Sequence, residues 1–143
     1  MLSLSIDLHI NSTGPTRERA IAGVTHGLIG ANETVTWEGT HFGVRLRHTS
    51  LIVDYQPNHH FCDEMTDGAF KTFRHDHFFE SISEDETLMR DVLRFSAPFG
   101  LLGLLAERLI LREYMRNFLM ERNQVIKRAA ESQEWHQYLD LAR

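Results

Sequence analysis

The chain opens on a strict alternation. Leu2, Leu4, Ile6, Leu8 and Ile10 are apolar, and each position between them is polar or charged. A period of two predicts a strand, although Leu2, Ile6 and Ile10 also fall on one face of a helix. The segment ends in the breaker cluster Asn11-Ser12-Thr13-Gly14-Pro15. From Arg17 to Ser96, runs rich in β-branched and aromatic residues are separated by turn signals, the pattern of an antiparallel sheet. It predicts strands over 18–24, 33–40, 44–55, 59–66, 69–81 and 87–96. The connecting turns fall at 27–32, His41-Phe42-Gly43, Gln56-Pro57-Asn58, Thr66-Asp67-Gly68 and 83–86. Asp67-Gly68 is a strong hairpin signal, because glycine takes a positive φ without penalty.

Pro98 and Gly100 close the sheet zone. Leu101, Leu105, Leu109, Leu111, Met115, Phe118, Leu119, Ile126 and Ala129 then recur at helical spacing, with charged residues between them. This predicts one amphipathic helix over 101–132 whose apolar face packs on the sheet. Trp135, Tyr138, Leu139 and Leu141 suggest a last helical turn in the tail, 133–143. The layout is α+β in a single domain: a short segment over 1–16, a sheet over 17–96, then the long helix and the tail.

Composition narrows the functional classes. The 143 residues are 42% hydrophobic and 24% charged, which suits one globular domain. A formal charge of −5 argues against a general nucleic-acid binder. Cys62 is the single cysteine, so no internal disulfide can form. The apolar run from Phe95 to Ala106 is too short to span a bilayer, and Asp7 interrupts the N-terminal apolar segment, which makes a poor signal peptide. A cytoplasmic protein without stable membrane insertion is the expectation. The Phe95–Ala106 run is expected to be the buried start of the helix; docking into a membrane surface or partner groove is the alternative.

Nine histidines are many for this length, and two of them carry most of the interest. In Phe73-Arg74-His75-Asp76-His77-Phe78-Phe79, strand alternation puts Phe73, His75, His77 and Phe79 on one face. In the next strand Met89, Asp91, Leu93 and Phe95 share a face. A hairpin near Glu84 sets Asp91 opposite His77, Met89 opposite Phe79 and Leu93 opposite His75. Across the preceding hairpin, Phe61 is expected opposite His75 and Asp63 opposite Phe73. Three readings of the cluster His75, His77, Asp91 and Asp63 stay open. It is a satisfied polar network in a sheet, a polar patch orienting a ligand in an apolar cavity, or a metal or acid–base site. His48 could join a cavity wall, while His9, His26, His41, His59, His60 and His136 read as solvated or capping residues. No phosphate loop, zinc-protease motif or nucleophile elbow occurs.

The ordered series Phe61-Cys62-Asp63, Gly68-Ala69-Phe70, Phe73 to Phe79, Thr87-Leu88-Met89-Arg90-Asp91 and Pro98-Phe99-Gly100-Leu101-Leu102-Gly103 resembles a bacterial branch of the SRPBCC (START-like) superfamily, whose members include polyketide cyclase-like and ligand-binding proteins. The resemblance spans roughly 18–128. It implies a helix-grip fold (START/Bet v 1-like), a curved antiparallel sheet wrapped around the C-terminal helix with an apolar cavity between them. It also implies a short helix, rather than a strand, around Ser5-Ile6-Asp7-Leu8-His9. Against the family pattern the chain starts late, lacking a counterpart of the first strand and most of the first helix. That would leave the 87–96 strand with an open edge, suited to homodimer formation.

The expected function is therefore binding of a small hydrophobic molecule. The candidate wall residues are Trp37, His48, Phe73, His75, His77, Met89, Asp91 and Phe95 from the sheet, and Met115 and Phe118 from the helix. The alternative is a cyclase/dehydratase- or hydrolase-type enzyme with His77 as general base oriented by Asp91. No cofactor and no metal is assigned.

Overall fold

Residues 1–139 are described by a computed structural model; Leu141, expected in the last helical turn, lies outside them. Six strands form one antiparallel sheet in sequence order: β1 (Arg19–Gly23), β2 (Thr34–His41), β3 (Val44–Gln56), β4 (His60–Asp67), β5 (Thr72–Ser81) and β6 (Thr87–Ser96). Each strand is where the periodicity predicts it, except that β5 begins three residues later than expected. The β2–β3 hairpin turns on Phe42 (φ 52°) and Gly43 (φ 76°), the left-handed pair of a two-residue turn whose twist matches the strands it joins. Among the described residues the outer edge of β6 has no partner strand.

The β5–β6 register is the expected one, with His77 opposite Asp91, Phe79 opposite Met89 and His75 opposite Leu93. The β4–β5 register is not. Phe61 faces His77 and Asp63 faces His75, two residues from expectation. Asp67-Gly68 does not form a two-residue turn; residues 68–71 bridge the strands as a longer loop. A two-residue slip preserves the inward face, because side chains alternate with period two. Its consequence is chemical, for it sets Asp63 beside the histidine pair.

The N-terminal alternation does not make a strand. Leu2–Leu4 is a 3-10 turn and Ile6–Ser12 is a helix, α1, capped by Ser5, whose side chain accepts from the Leu8 N–H at 3.2 Å. The short helix implied by the family resemblance is what forms. The alternation misleads because α1 is clasped from two sides. Leu4 and Ile6 pack with Ile29, Val35, Ile52 and Phe61 of the sheet side, whereas Leu8 packs with Ile126, Ala129 and Tyr138 of the C-terminal helices. A helix buried on two faces has no single apolar stripe.

The long C-terminal helix has three parts: α2 (Gly100–Ala106), a π-helical turn (Glu107–Leu111) and α3 (Arg112–Glu131). Trp135–Leu139 follows as α4. Only the part beyond the π turn packs as expected. Leu101 is 84% exposed and Leu109 70%, and Phe99, Leu102 and Leu105 are exposed as well, so the run is not a buried helix start. The π turn inserts extra chain into the helix and rotates the apolar stripe by about one residue, roughly 100°. Leu111, Met115, Phe118, Leu119 and Arg122 then face inward, and the earlier leucines do not. No helix among the described residues is long and apolar enough to cross a membrane.

The entry to α2 explains the Pro-x-Gly-x-x-Gly spacing. Phe99 (φ 71°) and Gly100 (φ 58°) are both left-handed, which folds the chain back so that the Pro98 carbonyl lies over Gly103. A Cβ on Gly103 would lie 1.8 Å from that oxygen. Gly103→Ala is therefore expected to destabilise the entry turn by about 1–3 kcal/mol, as overpacking does. Amide hydrogen exchange over residues 97–106 checks this; protection as in the parent chain would contradict it.

Candidate functional site

A cavity of about 290 Å³ lies between the inward face of the sheet, α1 and the long helix. Its walls are mainly apolar, from Val35, Ile52 and Phe61 in the sheet to Leu111, Met115 and Phe118 in the helix. Of the wall residues predicted from sequence, Trp37, His48, Phe73, His75, His77, Met115 and Phe118 line it. Met89, Asp91 and Phe95 lie outside the lining. Met89 packs beside Leu8 and Ile126, Phe95 meets the Phe70 ring edge-on, and Asp91 sits behind the histidines. Polar groups gather at two places in the walls.

The first pole grows from β4, β5 and β6. His75 and His77 project inward side by side, ring centroids 3.8 Å apart, and Phe61 stacks on His77 at 4.0 Å. Their rings are held between two carboxylates. On the cavity side, Asp63 Oδ2 lies 3.1 Å from His77 Nε2 and 3.9 Å from His75 Nδ1. On the far side, Asp91 Oδ1 lies 2.7 Å from His77 Nδ1 and 3.2 Å from His75 Nε2. These far-side contacts are close but poorly aligned. His75 Nε2, His77 Nδ1 and Asp91 Oδ1 are fully buried and lack a partner in hydrogen-bonding geometry. The other oxygen of Asp91 accepts from the Asn123 side-chain amide and lies 4.0 Å from the buried Arg122 guanidinium. The other oxygen of Asp63 accepts from Ser50 Oγ at 3.2 Å, and Ser50 in turn meets His48 Nε2 at 3.0 Å.

The electrostatics follow from these contacts. Burial works against ionisation of Asp63, but the His77 hydrogen bond and the charge of His75 outweigh it and hold this carboxyl below the usual range. The same opposition operates at Asp91, where contacts with His75 and His77 and the Arg122 charge prevail over burial. Burial, and then the neighbouring His77, push His75 toward its neutral form.

The second pole was not legible in the sequence. Glu18, just before β1, meets His9 Nε2 of α1 at 2.7 Å and His41 Nε2 of β2 at 3.3 Å. His41 Nδ1 lies 2.6 Å from the Tyr114 hydroxyl of α3, and His9 stacks on Trp37 at 4.0 Å. All five line the cavity, so the expectation of solvated or capping roles fails for His9 and His41. Glu18, His9 and His41 lie in three separate segments of the chain and only the packing of α1 against the sheet joins them. His60 is also not a surface residue: it bridges Asp76 and Asp54.

No family model matches the chain, and no curated protein matches it in sequence. A solved structure does match in fold. The crystal structure of TTHA0849 from Thermus thermophilus superposes with a TM-score of 0.68, covering 90% of this chain and 84% of that one at 12% identity. The chain has a helix-grip-like α+β fold.

Glu18 offers a direct reading of the second pole. Burial raises its pKa, but hydrogen bonds from His41 and His9 and their charges outweigh this and set it at about 2, below the ordinary 4.5. A depressed carboxylate stabilises the fold above its unfolded pKa and loses that contribution as pH falls toward the folded value. Glu18→Gln is thus expected to cost roughly 3 kcal/mol at neutral pH, with the gap to the parent chain narrowing from about pH 4.5 downward. Urea unfolding at pH 7 and pH 3 measures both; an equal gap at the two values would contradict the assignment.

Proposed function

We propose that this chain binds a small, largely apolar molecule between the sheet and the long helix, and that it belongs to the SRPBCC superfamily it resembles. The observation that carries the reading is the cavity, with apolar walls for affinity and two separated polar poles for orientation. Its volume of about 290 Å³ lies at the lower end of the range of small-molecule pockets. That suits a compact aromatic or short polyketide-like molecule better than a whole long-chain lipid. Apolar contact contributes about 25 cal/mol per Å² buried, and the histidine pole fixes one polar atom of the ligand.

The environment-sensitive dye anilinonaphthalene sulfonate is expected to bind saturably and to be displaced by an organic extract of cells. Met115→Trp, which projects bulk into the cavity from α3, is expected to weaken the dye by about tenfold or more. Absence of saturable binding in the folded parent chain would overturn the reading.

The contact of His77 Nδ1 with Asp91 at 2.7 Å favours a second reading, an acid–base enzyme of cyclase/dehydratase or hydrolase type. Asp91 fixes the ring, and Nε2 acts on substrate once it leaves Asp63. His77→Ala and Asp91→Asn are then expected to lower turnover of polyketide-like or ester substrates by about a hundredfold or more, with dye binding retained. Turnover unchanged in both variants would exclude this reading.

A further inference from the structure

The histidine pole poses a proton-accounting problem. A neutral imidazole carries one N–H and one lone pair. His75 and His77 each present one ring nitrogen to Asp63 and the other to Asp91. If both rings are neutral, each turns a lone pair toward one carboxylate. The cluster holds a buried carboxylate in Asp91, a half-buried one in Asp63 and, in Arg122, one buried cation beside Asp91. Among the described residues, the groups that act on Asp63 as cations are histidines: His77, His75 and, behind Ser50, His48.

We infer that Asp63, His75 and His77 form a binding site for one divalent first-row transition-metal ion. One donor atom from each lies within 4.8 Å of the others. Ligands about 2.1 Å from a shared ion stand roughly 3–3.4 Å apart. The Asp63–His77 separation of 3.1 Å already meets this, and the Asp63–His75 separation of 3.9 Å needs a shift of about half an ångström. With an ion on the Asp63 side, both histidines direct lone pairs to the metal and N–H groups toward Asp91. That is the carboxylate–histidine–metal arrangement, in which an outer carboxylate fixes tautomer and ring orientation. It gives the buried His75 Nε2, His77 Nδ1 and Asp91 Oδ1 a common purpose. Asn123 and Arg122 hold the outer carboxylate from α3, and Ser50 steadies Asp63.

Two imidazoles and one carboxylate leave coordination positions open, as in zinc and non-haem iron sites. Asp63, His75 and His77 all line the cavity and Asp91 does not. The open positions therefore face the cavity, where a ligand's carbonyl or carboxylate oxygen can complete the shell. The site stands independently of the ligand reading, since the cavity admits an apolar molecule with or without the ion.

The test is titration of the chelator-stripped full chain with Co(II), followed by its visible absorption, and with Zn(II) by calorimetry. One ion per chain is expected. Asp63→Asn and His77→Gln should weaken it by tenfold or more, and Asp91→Asn by about 10–100-fold with the stoichiometry kept. The surface variant His59→Ala should bind as the parent does. X-ray absorption of the zinc-loaded parent chain needs no variant. It should show two imidazole nitrogens plus oxygen at roughly 2.0–2.2 Å. No binding, or a shell with fewer than two imidazoles, would overturn the inference. So would affinity unchanged in folded Asp63→Asn and His77→Gln.

Discussion

Asp91 is the residue through which sheet and helix are tied together. It stands on the last strand, is nearly inaccessible, and meets two histidines with one oxygen and Asn123 with the other. Arg122 lies beside it, equally buried. A carboxylate taken out of water this completely is tolerated only while its partners stay in place, and removing one partner of a buried ion pair costs about 3–5 kcal/mol. That requirement holds α3 over β5 and β6 at one rotational setting. With α3 so placed, Ile126 and Ala129 close on Leu8 of α1, and α1 in turn closes on the sheet.

The cavity is a consequence of this tie. The C-terminal part of the long helix packs on Leu8 of α1 and beside Met89 of β6, and its middle borders the space between helix and sheet. Leu111, Met115 and Phe118 span the gap as a wall, and Tyr114 reaches His41 at the other pole. The π turn at Glu107–Leu111 separates the regime in which the helix covers the cavity from the regime in which its leucines face outward. A π turn trades ideal hydrogen bonding for a change of face, and such turns recur where a helix bounds a functional site. The two polar poles are likewise built from different materials. One is laid down within consecutive hairpins; the other needs α1, β1, β2 and α3 together.

This difference accounts for what could be read in advance. His75, His77 and Asp91 lie on neighbouring strands of one hairpin, so alternation and a single turn position suffice to bring them together. Asp63 was near at hand but misregistered, because a loop over 68–71 replaced the tight turn suggested by Asp67-Gly68. Glu18, His9 and His41 carry no common periodicity. The N-terminal alternation pointed to a strand for a helix clasped on two sides, and the leucine spacing before the π turn pointed inward for residues that face out.

By itself the sequence determined where the six strands lie, which residues of β5 and of β6 share a face, and the existence of one long terminal helix. These follow from periodicity and turn chemistry, which act over a few residues and survive a register slip of two. Tertiary structure decided that Asp63 meets the histidine pair, which leucines are covered, and that a second polar pole exists at all. Those outcomes depend on loop lengths, on one extra residue in a helical turn, and on the approach of segments far apart in the chain, such as His9 and Tyr114 on the walls of the same cavity. No local pattern encodes a distance of that kind; it is fixed by how the buried charges and apolar faces are satisfied together.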